Sequence, residues 1–164
     1  MKSLKILLGA GGVVAILAVC LVALSALSGL AQTDPFAGTW KLNLAKSKYS
    51  PGPPPKSQTV TYDATGQGVK VGAKGTDAEG KPTDIQYTAN YDGKDYPVTG
   101  TPDWDATALK RIDSYNAEFT RKKAGKVVQT GTNVVSKDGK TRTTTTNGIN
   151  AKGEKISNIA VYEK

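Results

Sequence analysis

Six glycines in turn-like settings recur along the chain at a nearly fixed interval: Gly66, Gly80, Gly93, Gly125, Gly139 and Gly153 are separated by 14, 13, 32, 14 and 14 residues. Glycine adopts a positive φ without steric cost, which tight two-residue hairpins require. Such spacing dictates antiparallel strands of roughly ten residues joined by short turns. The double interval holds a longer loop around Thr99-Gly100-Thr101-Pro102-Asp103 and a turn around Asp113-Ser114-Tyr115-Asn116. Strands are expected at 38–44, 58–63, 69–76, 84–91, 95–98, 107–112, 118–123, 126–136, 141–148 and 155–163, ten in all, or eight if short ones merge. Many Thr and Val suit a pleated, half-buried surface. No helix beyond a turn or two is expected in 32–164, so the expected class is all-β: an antiparallel up-and-down β-barrel of 8 to 10 strands.

Alternation assigns faces. Val60 with Tyr62, Val69 with Val71, Ile85 with Tyr87, Ala89 and Tyr91, and Ile159 with Val161 form apolar sets at period two. In the first strand Trp40, Leu42 and Leu44 share one face, opposite Thr39, Lys41 and Asn43, and Trp40 beside Gly38 suits a barrel floor. Residues 143–146 are all Thr and offer no apolar face. They belong either to the partly polar interior of a barrel enclosing solvent or a ligand, or to exposed edge strands blunted with Thr and Lys. Between the first two strands, four prolines over 51–55 exclude a helix interior or a central strand and read as an extended connector.

Lys2 and Lys5 precede 26 uncharged residues, 6–31, ending in Gly29-Leu30-Ala31. That is the layout of a secretory signal with a small-x-small cleavage site. At ~1.5 Å per residue the run would make ~39 Å of helix, longer than the ~30 Å hydrocarbon core, so an uncleaved anchor is the alternative. Either reading places residues 32–164 outside the cytoplasm, periplasmic or secreted, with membrane contact only through 6–31 if that segment is retained. Cys20 is the single cysteine, so the barrel domain has no disulfide framework. The net charge of +8 falls to +6 without Lys2 and Lys5. The lysines fall largely in turns, where they solvate loops; Arg121-Lys122-Lys123 is the one dense cluster and reads the same way. No nucleic-acid motif accompanies it.

Phe36-Ala37-Gly38-Thr39-Trp40-Lys41-Leu42 resembles the opening of the calycin barrels. It contains the Gly-x-Trp of the lipocalins and, more closely, the Phe-x-Gly-x-Trp-Lys-Leu of intracellular fatty-acid-binding proteins, whose last strand Val161-Tyr162-Glu163-Lys164 also resembles. The chain is similar, too, to small exported bacterial proteins with a lipocalin-like domain. The resemblance implies a barrel that holds a small apolar or amphipathic molecule. Two departures stand out. The two-helix cap of fatty-acid-binding proteins is replaced here by the proline connector, and their Arg-x-Tyr falls on Ala160-Val161-Tyr162, keeping the Tyr without the Arg. Lipocalins also place an Arg near the barrel's end over the Trp, and no Arg follows Arg142.

The chain has no His, and no Cys after Cys20. Triad and thiol catalysis and His-based zinc sites are thereby excluded for the barrel domain. Gly66-Gln67-Gly68-Val69-Lys70-Val71 and Gly139-Lys140-Thr141 lack the glycines that dinucleotide and phosphate loops need. Asp92, Asp95, Asp103 and Asp105 read as turn hydrogen-bonders rather than an acid–base pair or a Ca²⁺ site. Trp104, between Asp103 and Asp105, either folds back as a lid over the barrel mouth or stands out as an anchor for a partner. The expectation is a non-enzymatic barrel without metal or cofactor, its ligand lined by Tyr62, Tyr87, Tyr91, Trp104 and Phe119. The alternative is a protein-interaction module, an inhibitor or envelope-complex component, with no small-molecule ligand.

Overall fold

The six periodic glycines all sit at positive φ, from 57° at Gly66 to 90° at Gly80. The structure, a computed structural model, describes residues 34–164; the export segment expected over 1–31 lies outside them. Among the described residues there are ten strands: β1 Gly38–Leu42, β2 Ser57–Thr65, β3 Gly68–Thr76, β4 Pro82–Asn90, β5 Asp92–Thr99, β6 Ala106–Arg111, β7 Asn116–Lys123, β8 Lys126–Val135, β9 Thr141–Ile149 and β10 Lys155–Glu163. Each pairs antiparallel with its neighbours in sequence. The meander closes into a barrel where Lys41 and Leu42 of β1 meet Glu163 and Tyr162 of β10. Closure leaves no long free edge and splits every strand's residues between lumen and solvent.

One end is a floor. Trp40, with no exposed surface, donates its indole N–H to the Phe36 carbonyl at 2.8 Å, and Phe36 packs beside Tyr62. Asp34 accepts a forked pair of bonds from Arg111, at 3.1 and 2.5 Å, and the Arg111 guanidinium lies over the rings of Phe36 and Tyr91. Lys164 places its ammonium 4.5 Å from the centre of the Trp40 indole. The first residues of the domain thus fold inward as a plug. The other end, where the loops at 43–56, 100–105 and 150–154 gather, is the mouth.

Two expectations about faces fail, each for a local reason. Leu44 does not join Trp40 and Leu42. The chain leaves β1 after Leu42, the Asn43 side chain accepts from Lys46 N–H, and Leu44 opens a 3-10 turn over Leu44–Lys46 with 41% of its surface exposed. The segment then rejoins the edge of β10 through Lys48 and Ile159. In β10 the phase is reversed: Ala160 and Tyr162 face inward while Ile159 faces solvent. Ile and Val are good strand formers on either face, so their alternation says "strand" without fixing which side is buried; the larger Tyr162 takes the interior. In β8 a register shift opposite Arg121 and Lys122 lets Val127 turn out, while Gln129, Asn133 and Val135 are buried.

The same register settles the Thr-rich strand. β9 is paired along its length with both β8 and β10. Arg142 and Thr146 are buried and Thr144 borders the lumen. This is a polar interior face and not an exposed edge.

Candidate functional site

The lumen holds a cavity of about 230 Å³ between the floor and the mouth. Of the residues expected to line it, Tyr62, Tyr87, Trp104 and Phe119 do so. Tyr91 sits lower, with Arg111 4.0 Å above its ring, and Gly38 and Trp40 belong to the floor. The wall mixes apolar side chains such as Val60, Val71 and Ile85 with Gln58, Gln129, Asn133 and Thr107.

Two arginines that the sequence reading left outside the site dominate its chemistry. Arg121 was grouped with Lys122 and Lys123 as a solvated cluster, but it is in phase with the buried Ala117 and Phe119 on β7 and so points inward. Its guanidinium lies 4.3 Å from the Trp104 ring centre and 4.4 Å from that of Phe119, and donates to the Gln129 side-chain oxygen at 2.9 Å. Arg142 enters from β9 directly opposite Tyr162 on β10. Only 2% of it is exposed. It donates to the Tyr62 hydroxyl, and its guanidinium lies over the rings of Tyr162, Tyr62 and Trp40 at 4.3, 4.7 and 5.8 Å. Alternation on β7 carries a signal for Arg121 that its charge obscures, whereas the run of Thr beside Arg142 carries none.

Neither guanidinium is paired with a carboxylate within ion-pair distance. The described residues contain every Asp and Glu of the chain. The Nε–H of Arg142 is buried with no acceptor among the described residues. A buried cation normally has a counter-ion and a full set of acceptors, because desolvation otherwise costs several kcal/mol. The floor obeys that rule through Arg111 and Asp34; the lumen does not.

Tyrosines do not make up the deficit. Burial pushes the Tyr87 hydroxyl well above the ordinary phenol range, against the pull of Arg121 and Arg142, and raises Tyr162 likewise against Arg142. Burial also pushes Arg121 down, opposed by the field of Tyr87, Tyr62 and Tyr162. At neutral pH these rings are neutral hydroxyl donors, and an arginine stays charged. Tyr162 donates to the Gln58 side chain. The polar part of the cavity is therefore rich in donors and poor in negative charge. Asp103 is the one acid on its lining, and its carboxylate accepts from the Ala151 N–H at 2.7 Å on the β9–β10 turn.

That bond helps to fasten a lid. Trp104 folds inward at the mouth, 5% exposed, edge-on to Tyr87 with ring centres 6.2 Å apart. Asp105, on its other side, accepts from the Ala124 N–H of the β7–β8 turn at 3.0 Å, and its own N–H donates to the Lys122 carbonyl at 2.9 Å. Two carboxylates thus tie the loop to two neighbouring turns. The remaining acids of the Asp92–Asp105 group make local contacts: Asp92 with Lys94 and Tyr96, Asp95 with Lys122. Among the described residues no cluster of three potential ligands could hold a metal ion.

No family model matches the sequence, and no curated protein does. A solved structure described as a redesigned beta barrel, mFAP1, bound to DFHBI, matches with TM-score 0.39 and 15% identity over 79% of this chain and 95% of that one.

Proposed function

We propose that the chain is a non-enzymatic, extracytoplasmic binding barrel, lipocalin-like in plan, that holds a small amphipathic molecule by its anionic head. The observation that carries this reading is Arg142: a guanidinium enclosed by the barrel, lacking a carboxylate, with one N–H pointed at nothing. Arg121 and the hydroxyls of Tyr62 and Tyr87 add charge and polar groups around the same space. The apolar wall would take the rest of the ligand, the usual composition of a small-molecule site. The basic net charge favours anions at a distance. The interaction-module alternative rests on the Trp104 loop or the Lys-rich turns, and burial of Trp104 removes the first of these supports.

The test is calorimetric titration of the full chain with benzoate, a small amphipathic anion whose size suits the cavity. Saturable binding near one per chain is expected, weakened at least about tenfold, or ~1.4 kcal/mol, by Arg142→Met. Absence of saturable binding, or affinity indifferent to Arg142, overturns the reading.

A further inference from the structure

We infer that the occupant of the lumen is a compact aromatic acid, one ring bearing a single carboxylate or sulfonate, rather than a long-chain amphiphile. This rests on the anion-binding reading above and sets its ligand class.

Size is the first constraint. An engineered cavity of about 150 Å³ accommodates benzene. On that scale a cavity of about 230 Å³ takes roughly nine or ten non-hydrogen atoms. A sixteen-carbon acid is roughly twice too large. Trp104, fastened on both sides through Asp103 and Asp105, also covers part of the mouth through which a tail would emerge.

Shape is the second. The upper wall is built of flat faces and edges: Trp104 set edge-on to Tyr87, and the planar Arg121 guanidinium against Trp104 and Phe119. A ring placed under Trp104 gains stacking or edge contacts beyond area burial. An alkyl chain of equal size gains only area and loses rotamer freedom on binding. With its anion at Arg142 and Tyr62, such a ring reaches Tyr87 and Trp104, so Trp104 is the residue that selects for aromatic character.

Calorimetric titration of the full chain with cinnamate and octanoate, acids of nearly equal size, decides the matter, with hexadecanoate as a third probe. Cinnamate is expected to bind about tenfold tighter than octanoate, and hexadecanoate not measurably. Trp104→Leu is expected to cost cinnamate about fivefold or more while leaving octanoate within about twofold; Trp104→Phe, which keeps a ring, is expected to retain the preference. Octanoate or hexadecanoate binding as tightly as cinnamate, or a preference unchanged in Trp104→Leu, overturns the inference and leaves the anion site standing. Failure of all three acids together with benzoate overturns both.

Discussion

Arg142 costs the fold stability that an apolar side chain would not. Its neighbours are aromatic rings and one hydroxyl, and its Nε–H has no partner. Replacing buried ionic groups by apolar ones of similar volume is often neutral or stabilising by about 1–4 kcal/mol. Arg142→Met is therefore expected to raise the urea midpoint while it weakens anion binding, the trade-off seen where a site is kept at the expense of stability. An unfolding free energy that falls by more than about 1 kcal/mol would mean that the guanidinium holds the barrel together. A second residue carries strain for no evident gain. Ala124 is the one described non-glycine at positive φ, 48°, followed by Gly125 at 77° in the β7–β8 turn. A β-carbon there is disfavoured by about 1–2 kcal/mol. Its N–H bonds Asp105 and its side chain is exposed, so Ala124→Gly keeps the contact and removes the clash. A gain of about 0.5–1 kcal/mol in thermal or chemical unfolding is expected.

At the scale of strands and turns, the glycines that set the hairpins stand mostly in open space, and it is others, within the strands, that mark where backbones press together. Gly131 on β8 stands opposite Phe119 on β7. A β-carbon on Gly131 would lie 1.9 Å from the Thr145 carbonyl oxygen and 2.5 Å from the Phe119 ring. Gly131→Ala must displace either the β9 backbone or a ring that lines the cavity, and a loss of about 1–3 kcal/mol is expected in equilibrium unfolding. A variant as stable as the parent would show that this seam yields easily. The turns themselves were legible in the sequence because positive φ is a local requirement that glycine advertises. Strand count and antiparallel order followed from it, and Trp40 as floor followed from its place at the start of the meander. Phase was less legible: Ile159 and Val161 look like a core pair, yet only pairing with β9 reveals that Tyr162 and Ala160 face the lumen. Arg121 and Arg142 were hidden for a different reason. Charge argues for solvent, and no single strand shows that closure of the barrel will enclose it.

For the whole molecule, the interior is built around phenols that resist ionisation, and this gives the barrel an alkaline limit. Burial is the first cause that raises Tyr49, Tyr87, Tyr91 and Tyr162 above the ordinary value of 10.0; Arg111 pulls Tyr91 the other way, as Arg142 does Tyr162. Once unfolded, each ionises near 10. Between that pH and the folded-state values the native chain therefore holds more protons than the unfolded one. By linkage, stability is full below about pH 10 and falls as pH rises beyond it, by up to about 1.4 kcal/mol per unit for each fully enclosed group and less for the half-buried Tyr49 and Tyr91. The unfolding midpoint should be unchanged through neutral pH and drop steeply above about pH 10. Tyrosinate absorbance should then appear in two stages, the late one coinciding with loss of the β-sheet circular dichroism signal. Ionisation of all seven tyrosines near pH 10 with the sheet intact would mean that water reaches the lumen freely, and the enclosed site argued from Arg142 would lose its physical basis.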